Sequence, residues 1–197
     1  MSRGASCAGL ILAAGESRRM GFPKALLPYR GETFLDHAIG LLEPHCAPVI
    51  VVLGAGAEEI RRQTRRAATF VLNANYRSGQ TSSLQAGLRA VPRDAAGVLF
   101  ALVDHPAVAP ETVGALAADA GPGVLVRVPR YRGERGHPVW FSRALAAEFL
   151  ALPETGAARE VVRRHITETR FLDVDDAGIL ADIDDAEAYR ALVGSGA

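Results

Sequence analysis

The chain has 197 residues, 22 basic and 22 acidic side chains, and is 49% hydrophobic but only 6% aromatic. That length suits one domain able to bury a sizeable core. The apolar content excludes intrinsic disorder, and the balanced charge excludes the basic footprint of a nucleic-acid binder.

Short apolar runs alternate with helical patterns along the chain. A buried strand is expected over residues 8–14, ending at Gly15. Thr33 can cap a helix over Phe34–Leu42, stopped before Pro44. A second buried strand covers 49–53, the turn is 54–56, and an arginine-rich helix covers 57–67. Thr69–Leu72 reads as a short strand and 82–91 as a helix. The run 98–103 (VLFALV) is a fourth strand leading directly into Asp104, His105 and Pro106. A helix over 111–120 and a strand over 124–128 follow. Continuous apolar strands separated by helices indicate an α/β fold with a mainly parallel sheet covered on both faces.

After residue 129 the rhythm changes. Residues 130–138 read as a Gly- and Arg-rich loop, followed by a short strand at 139–141 and helices at 144–152 and 157–165. A strand at 170–174, an acidic stretch and a last helix at 186–193 complete the chain. The expectation is a single domain over 1–197, with a ligand-binding half to about residue 128 and a closing half from about 129. Cys7 and Cys46 form neither a disulfide framework nor a metal-ligand spacing, which fits a reducing cytosol. Residues 1–8 lack the apolar stretch of a signal peptide, and no apolar run is long enough to span a membrane. A cytoplasmic location is the expectation.

Ligands of open α/β sheets bind beyond the carboxyl ends of the strands. After the first strand, Ala13, Ala14 and Gly15 let the backbone approach a ligand closely. Gly15 and Gly21 bracket a loop whose amides can face phosphate oxygens, with Arg19 and Lys24 adding charge. Lys24 is the only lysine in an arginine- and alanine-rich chain, where a merely solvated lysine has no reason to persist. Asp104 is either a turn aspartate before proline or a carboxylate placed for a metal–triphosphate. Residues 79–88 carry hydroxyls that either cap a helix or read a polar ligand. Asn73 and Asn75 read as turn residues. Residues 132–139 are either a solvated hairpin or a receptor for an anionic substrate. Asp173, Asp175, Asp176, Asp182, Asp184 and Asp185 suit surface charge or a helix N-terminus. Gly54-Ala55-Gly56 is no dinucleotide fingerprint, because Glu59 fills its last position. Arg61, Arg62, Arg65 and Arg66 fit a solvated helix face.

The run LAAG-x-S-x-R-M-G-x-P-K over 12–24 resembles the signature loop of the MobA-like NTP transferases, nucleotidyltransferases of the molybdenum cofactor type. The resemblance implies a three-layer Rossmann-like fold in which the loop positions Leu12, Ala13, Ala14, Gly15, Ser17, Arg19, Met20, Gly21 and Lys24 hold the triphosphate. The LAAG start and Gly-Phe-Pro-Lys ending are similar to the cytidylyltransferase branch. LVDHP resembles the family's strand end, where the aspartate, here Asp104, binds Mg²⁺. G-x-x-S-S-L-x-x-G-L matches Gly79–Leu88, with Gln80 and Ser83 as base or ribose contacts. G-H-P-V resembles a motif of the molybdopterin-cytidylyltransferase-like members, implying acceptor contacts from Arg135 and His137, joined by Arg159 of a G-A-R-like stretch. A-D-I-D-D-A-E-A-Y resembles the family's C-terminal acidic motif and gives Asp182 as second Mg²⁺ ligand, with Asp184 as the alternative.

The implied reaction moves a nucleotidyl group from CTP or another NTP to a phosphorylated acceptor of molybdopterin type. Arg19, Lys24 and Asp104 carry it, and a molybdoenzyme or its chaperone takes the product. The alternatives are a sugar or alditol phosphate acceptor, or a catalytically silent nucleotide-binding or cofactor-delivery protein of the same fold.

Overall fold

The computed structural model describes residues 7–118, 120–153 and 155–194. In chain order the elements are β1 (Cys7–Ala13), β2 (Pro28–Tyr29), β3 (Glu32–Thr33), α1 (Phe34–Leu42), β4 (Cys46–Leu53), α2 (Ala57–Gln63), β5 (Thr69–Leu72) and α3 (Gln80–Ala90). Then come β6 (Gly97–Leu102), α4 (Pro110–Ala117), β7 (Val126–Tyr131), β8 (Glu134–Arg135), β9 (Val139–Ser142), α5 (Ala146–Leu150), α6 (Ala158–Arg164), β10 (Thr169–Asp173) and α7 (Ala186–Gly194).

One eight-stranded sheet runs in the order β10-β7-β9-β6-β1-β4-β5, with β8 paired to β7. Its β6-β1-β4-β5 part is parallel, and β9 lies antiparallel between β6 and β7. Strand side chains alternate between faces, which splits the core in two. Ile11, Val51 and Leu99 pack with Phe34, Ile39 and Leu116 from α1 and α4 on one side. Leu10, Val52 and Phe100 pack with Leu84, Leu88, Phe149 and Val161 from α3, α5 and α6 on the other. Three layers result, as expected for the Rossmann-like fold. Cys7 and Cys46 are register partners and free thiols at the amino ends of β1 and β4. Among the described residues no helix is long and apolar enough to cross a membrane. Residues 1–6, most of the N-terminal stretch considered for a signal peptide, lie outside the described residues.

Three differences from the expected elements have local causes. The stretch 130–138 is not a loop throughout. Strand β7 continues to Tyr131 and turns through Arg132 and Gly133, both at positive φ (49° and 89°), into β8. That is the backbone of a two-residue hairpin whose twist matches its strands. Arg30 and Gly31 (φ 48° and 83°) make the same turn between β2 and β3. The helix expected over 57–67 ends at Gln63. The Thr64 hydroxyl donates to the Ile60 carbonyl at 2.7 Å, and the Arg65 and Arg66 N–H groups go to Asp36 Oδ1 at 2.9 and 3.0 Å. With those donors taken, the helix cannot continue. Arg65 and Arg66 therefore do not extend a helical arginine face, and Arg66 pairs with Glu32 and Glu43.

Candidate active site

The carboxyl ends of β1, β4, β5 and β6 converge at one edge of the sheet, above a cleft of about 540 Å³. Leu12, Ala13 and Ala14 form its floor, and Gly15, Ser17 and Arg19 lie along the following loop. Ser17 sits at φ 50°, a left-handed conformation, and its hydroxyl accepts the Lys24 N–H at 3.0 Å. This contact closes the loop on itself and delivers Lys24 into the cleft. Gln80 and Ser83 enter from the first turn of α3.

Lys24 is buried to 12% side-chain exposure and lies between two carboxylates, 3.1 Å from Asp104 and 2.5 Å from Asp184. Burial pulls its pKa down, but Asp184 and Asp104 outweigh it and hold the ammonium above its ordinary range. Asp184 also takes a hydrogen bond from Arg19, and Lys24 followed by Arg19 holds its carboxyl below the usual carboxylate range against partial burial. Asp184 belongs to the segment after β10. The Ile183 N–H bonds to the Asp104 carbonyl at 2.9 Å, and the Ile183 side chain is buried in the core. That anchor brings Asp182 and Asp184, the residues flanking Ile183, to the neighbourhood of Asp104.

Asp182 joins a different group. Ligand atoms of Asp104, His105 and Asp182 lie within 4.8 Å of one another. Asp182 is exposed as a residue, yet the sheltered side of its carboxyl, then Asp104 and Asp184, raise its pKa. Two carboxylates and an imidazole form a donor set that fits a divalent cation of the magnesium or manganese kind. Asp182 thus lies in the group that could hold a cation, while Asp184 pairs with Lys24 and Arg19. The sequence places His105 at a strand end beside Asp104 but assigns it no ligand role, although that place was the available signal.

The three expected acceptor residues are not brought together. His137 packs beside His105 (ring centroids 5.4 Å apart) and Phe100, and burial, then the neighbouring His105, pushes its pKa down to about 4. It is a neutral imidazole that, with His105, lines a small apolar pocket beside the cleft and is outside the lining of the cleft itself. Arg135 is exposed and lies over the Phe171 ring at 4.4 Å, outside the lining of the cleft. Arg159 is exposed in the first turn of α6. The nearby Gly156 carbonyl accepts the Thr81 hydroxyl at 2.5 Å, which seats this segment against the start of α3. His165 is held by Glu148 at 2.6 Å, a packing contact between α6 and α5.

Tyr76 and Arg77, not singled out in the sequence, also line the cleft. Glu16 receives Arg77 Nε at 2.7 Å and also bonds to Arg18, so an ion pair ties the β1 loop to the segment after β5. The Gly54-Ala55-Gly56 turn has a packing role. A Cβ at Gly54 would lie 2.6 Å from the Ala14 carbonyl oxygen and 2.7 Å from Tyr76 Cβ, so only glycine allows the floor and wall to meet.

The family model of the MobA-like NTP transferase domain matches residues 9–169. A nicotine blue oxidoreductase from Paenarthrobacter nicotinovorans is 35% identical over 93% of this chain and 95% of its own length. The molybdenum cofactor cytidylyltransferase of Escherichia coli K12 is 25% identical over 91% of this chain and 92% of its own. Among solved structures, Rv0371c from Mycobacterium tuberculosis H37Rv aligns with TM-score 0.84 at 33% identity, covering 97% of this chain and 100% of that one. Its complex with manganese aligns at TM-score 0.79 and 32% identity, covering 96% and 99%.

Proposed function

The chain belongs to the MobA-like NTP transferase family, and from that premise we propose that it transfers CMP from CTP to a phosphorylated acceptor of molybdopterin type, releasing pyrophosphate. The observation that carries this reading is Lys24. The chain's only lysine stands at the mouth of the sheet, buried between two carboxylates in the cleft that the small residues of β1 leave open.

In this reading the amides of the loop after β1 face the triphosphate. Lys24 and Arg19 exchange Asp184 for phosphate oxygens. As compact and planar cations respectively, they would stabilise charge building on the α-phosphate and on the leaving pyrophosphate. Gln80 and Ser83 contact the base or ribose. An oxygen of the acceptor's phosphate forms the new bond to the α-phosphorus, and the bond from that phosphorus to the β-phosphate oxygen breaks. A phosphate monoester is already ionised near neutral pH, so no residue need act as general base. Asp104, Asp182 and His105 would hold the divalent cation, Mg²⁺ or Mn²⁺, which supplies charge neutralisation to the triphosphate. Of the three acceptor candidates, His137 is the one that packs against a residue of this group, His105.

A pyrophosphate-release assay tests the reading, with each NTP offered against molybdenum cofactor and against sugar phosphates. CTP with molybdenum cofactor should give the fastest release, and release should need a divalent cation. Release only with a sugar phosphate would reassign the acceptor. The relative named nicotine blue oxidoreductase favours a second reading, an oxidoreductase of the same fold without nucleotidyl transfer. Pyrophosphate release from no pair, together with turnover of a redox substrate, would establish that one.

A further inference from the structure

Asn73 stands at the carboxyl end of β5, buried, with its backbone N–H bonded to the Leu53 carbonyl at 2.8 Å. Its Oδ1 accepts the Asn75 N–H at 3.0 Å. That bond decides which end of the side-chain amide is which, because only the oxygen can accept. The nitrogen therefore faces α3, where it donates to Ser82 Oγ and Ser83 Oγ, each at 3.0 Å. Both serine oxygens act as acceptors here, so both hydroxyl protons must point elsewhere.

The two serines then diverge. Ser82 has outlets in the carbonyls of Gly79 at 2.8 Å and Asn75 at 3.0 Å. Ser83 has none: among the described residues its proton has no acceptor. Yet Ser83 is only 4% exposed and lines the cleft. A buried hydroxyl donor left without a partner is costly, and the cleft is where a partner can enter.

We propose that Asn73 is a positioning residue that commits Ser83 to donate into the cleft, so that this wall selects a nucleotide base presenting a hydrogen-bond acceptor. The inference rests on the nucleotide reading of the cleft and adds the polarity of the contact. A ring carbonyl oxygen or an unprotonated ring nitrogen satisfies Ser83, and an amino group does not. Cytosine offers both acceptors on one edge.

The test uses isothermal titration of the full chain with CTP and with inorganic triphosphate, each in the presence of Mg²⁺. Asn73→Asp keeps the shape but replaces the donating nitrogen with an accepting oxygen, so Ser83 must turn its proton away from the cleft. CTP affinity should fall about tenfold, the cost of one misdirected hydrogen bond, while triphosphate affinity falls much less. Asn73→Ala leaves Ser83 free to donate and should lose less CTP affinity than Asn73→Asp. A purely structural asparagine gives the opposite order, since alanine is the larger disruption. Ser83→Ala should lose CTP affinity about as Asn73→Asp does, and combining the two should add nothing.

Wild-type CTP affinity in Asn73→Asp or Ser83→Ala overturns the proposal, as does an equal loss for inorganic triphosphate. If Asn73→Asp does not fold, Ser83→Ala decides by the same comparison. Failure of the wild-type protein to bind any nucleoside triphosphate overturns the nucleotide reading together with this one. Tight CTP binding with unaffected variants overturns this one alone.

Discussion

Lys24 concentrates the residue-scale chemistry. Its ammonium is held charged by Asp184 and Asp104, so it is a fixed positive point in a cleft with a carboxylate on either side. Removing a preorganised charge of this kind costs about 10²- to 10³-fold in turnover. Lys24→Ala should therefore lose at least about 100-fold in pyrophosphate release, a loss that no drop in unfolding midpoint from leaving Asp104 and Asp184 without their shared cation explains, the protein remaining folded under assay conditions. Lys24→Arg should not restore the rate. The planar guanidinium is wider and spreads its charge, and the narrow gap between Asp104 and Asp184 suits a compact ammonium. Turnover by Lys24→Arg within a few-fold of wild type would count against this role. The lysine was legible in the sequence because it stood alone among arginines at a strand end. Its partner Asp184 was not, because nothing local in an acidic stretch says which carboxylate returns across 160 positions to meet it.

At the scale of elements, local signals were readable and borrowed ones were not. Thr33 accepts the Asp36 N–H at 3.0 Å and caps α1 as its residue type suggests. The end of α2 could not be foreseen, since the acceptor that stops it, Asp36, belongs to α1. The β2–β3 hairpin was not foreseen, and the β7–β8 hairpin stood only as one alternative for 132–139, for a related reason: Arg-Gly is not the usual Asn-Gly or Asp-Gly signal for positive φ at two successive residues. Asp36 is 2% exposed and takes the Arg65 and Arg66 N–H groups and the Thr33 hydroxyl. Asp36→Ala strands those donors and should cost roughly 2–3 kcal/mol by urea denaturation, with the cleft chemistry little changed. Gly54→Ala should disturb the cleft as well as the stability. It pushes the Ala14 carbonyl and Tyr76 apart, so the Michaelis constant for the nucleotide should rise several-fold for about 1–3 kcal/mol of lost stability. An unchanged constant would show that the β1 loop and the Tyr76 segment do not set the cleft together.

For the whole molecule, the parallel strand ends lay open in the apolar runs, while the way the C-terminal third closes over them did not. That closure depends on contacts between distant segments: Ile183 on Asp104, Asp184 on Lys24, and His137 on the Ile179 carbonyl at 3.0 Å. The strand β10 of the closing half sits in the same sheet as β1, and on that basis we propose that the two halves unfold as one domain. A metal–nucleotide held by Asp104 from one half and Asp182 from the other would then stabilise both at once. A ligand at about 100 times its dissociation constant adds roughly 2.7 kcal/mol, which in a chain of this size raises the melting temperature by about 5–10 °C. Calorimetry with CTP and Mg²⁺ should show one transition moved upward by that amount. Chelating the metal should remove most of the shift, because the triphosphate then meets Asp104, Asp182 and Asp184 without a counter-ion. Asp182→Asn should reduce the shift more than Asp184→Asn if Asp182 is the metal ligand and Asp184 only pairs with Lys24 and Arg19. The opposite order would exchange the two roles, and two separate transitions would show that the halves are not one cooperative unit.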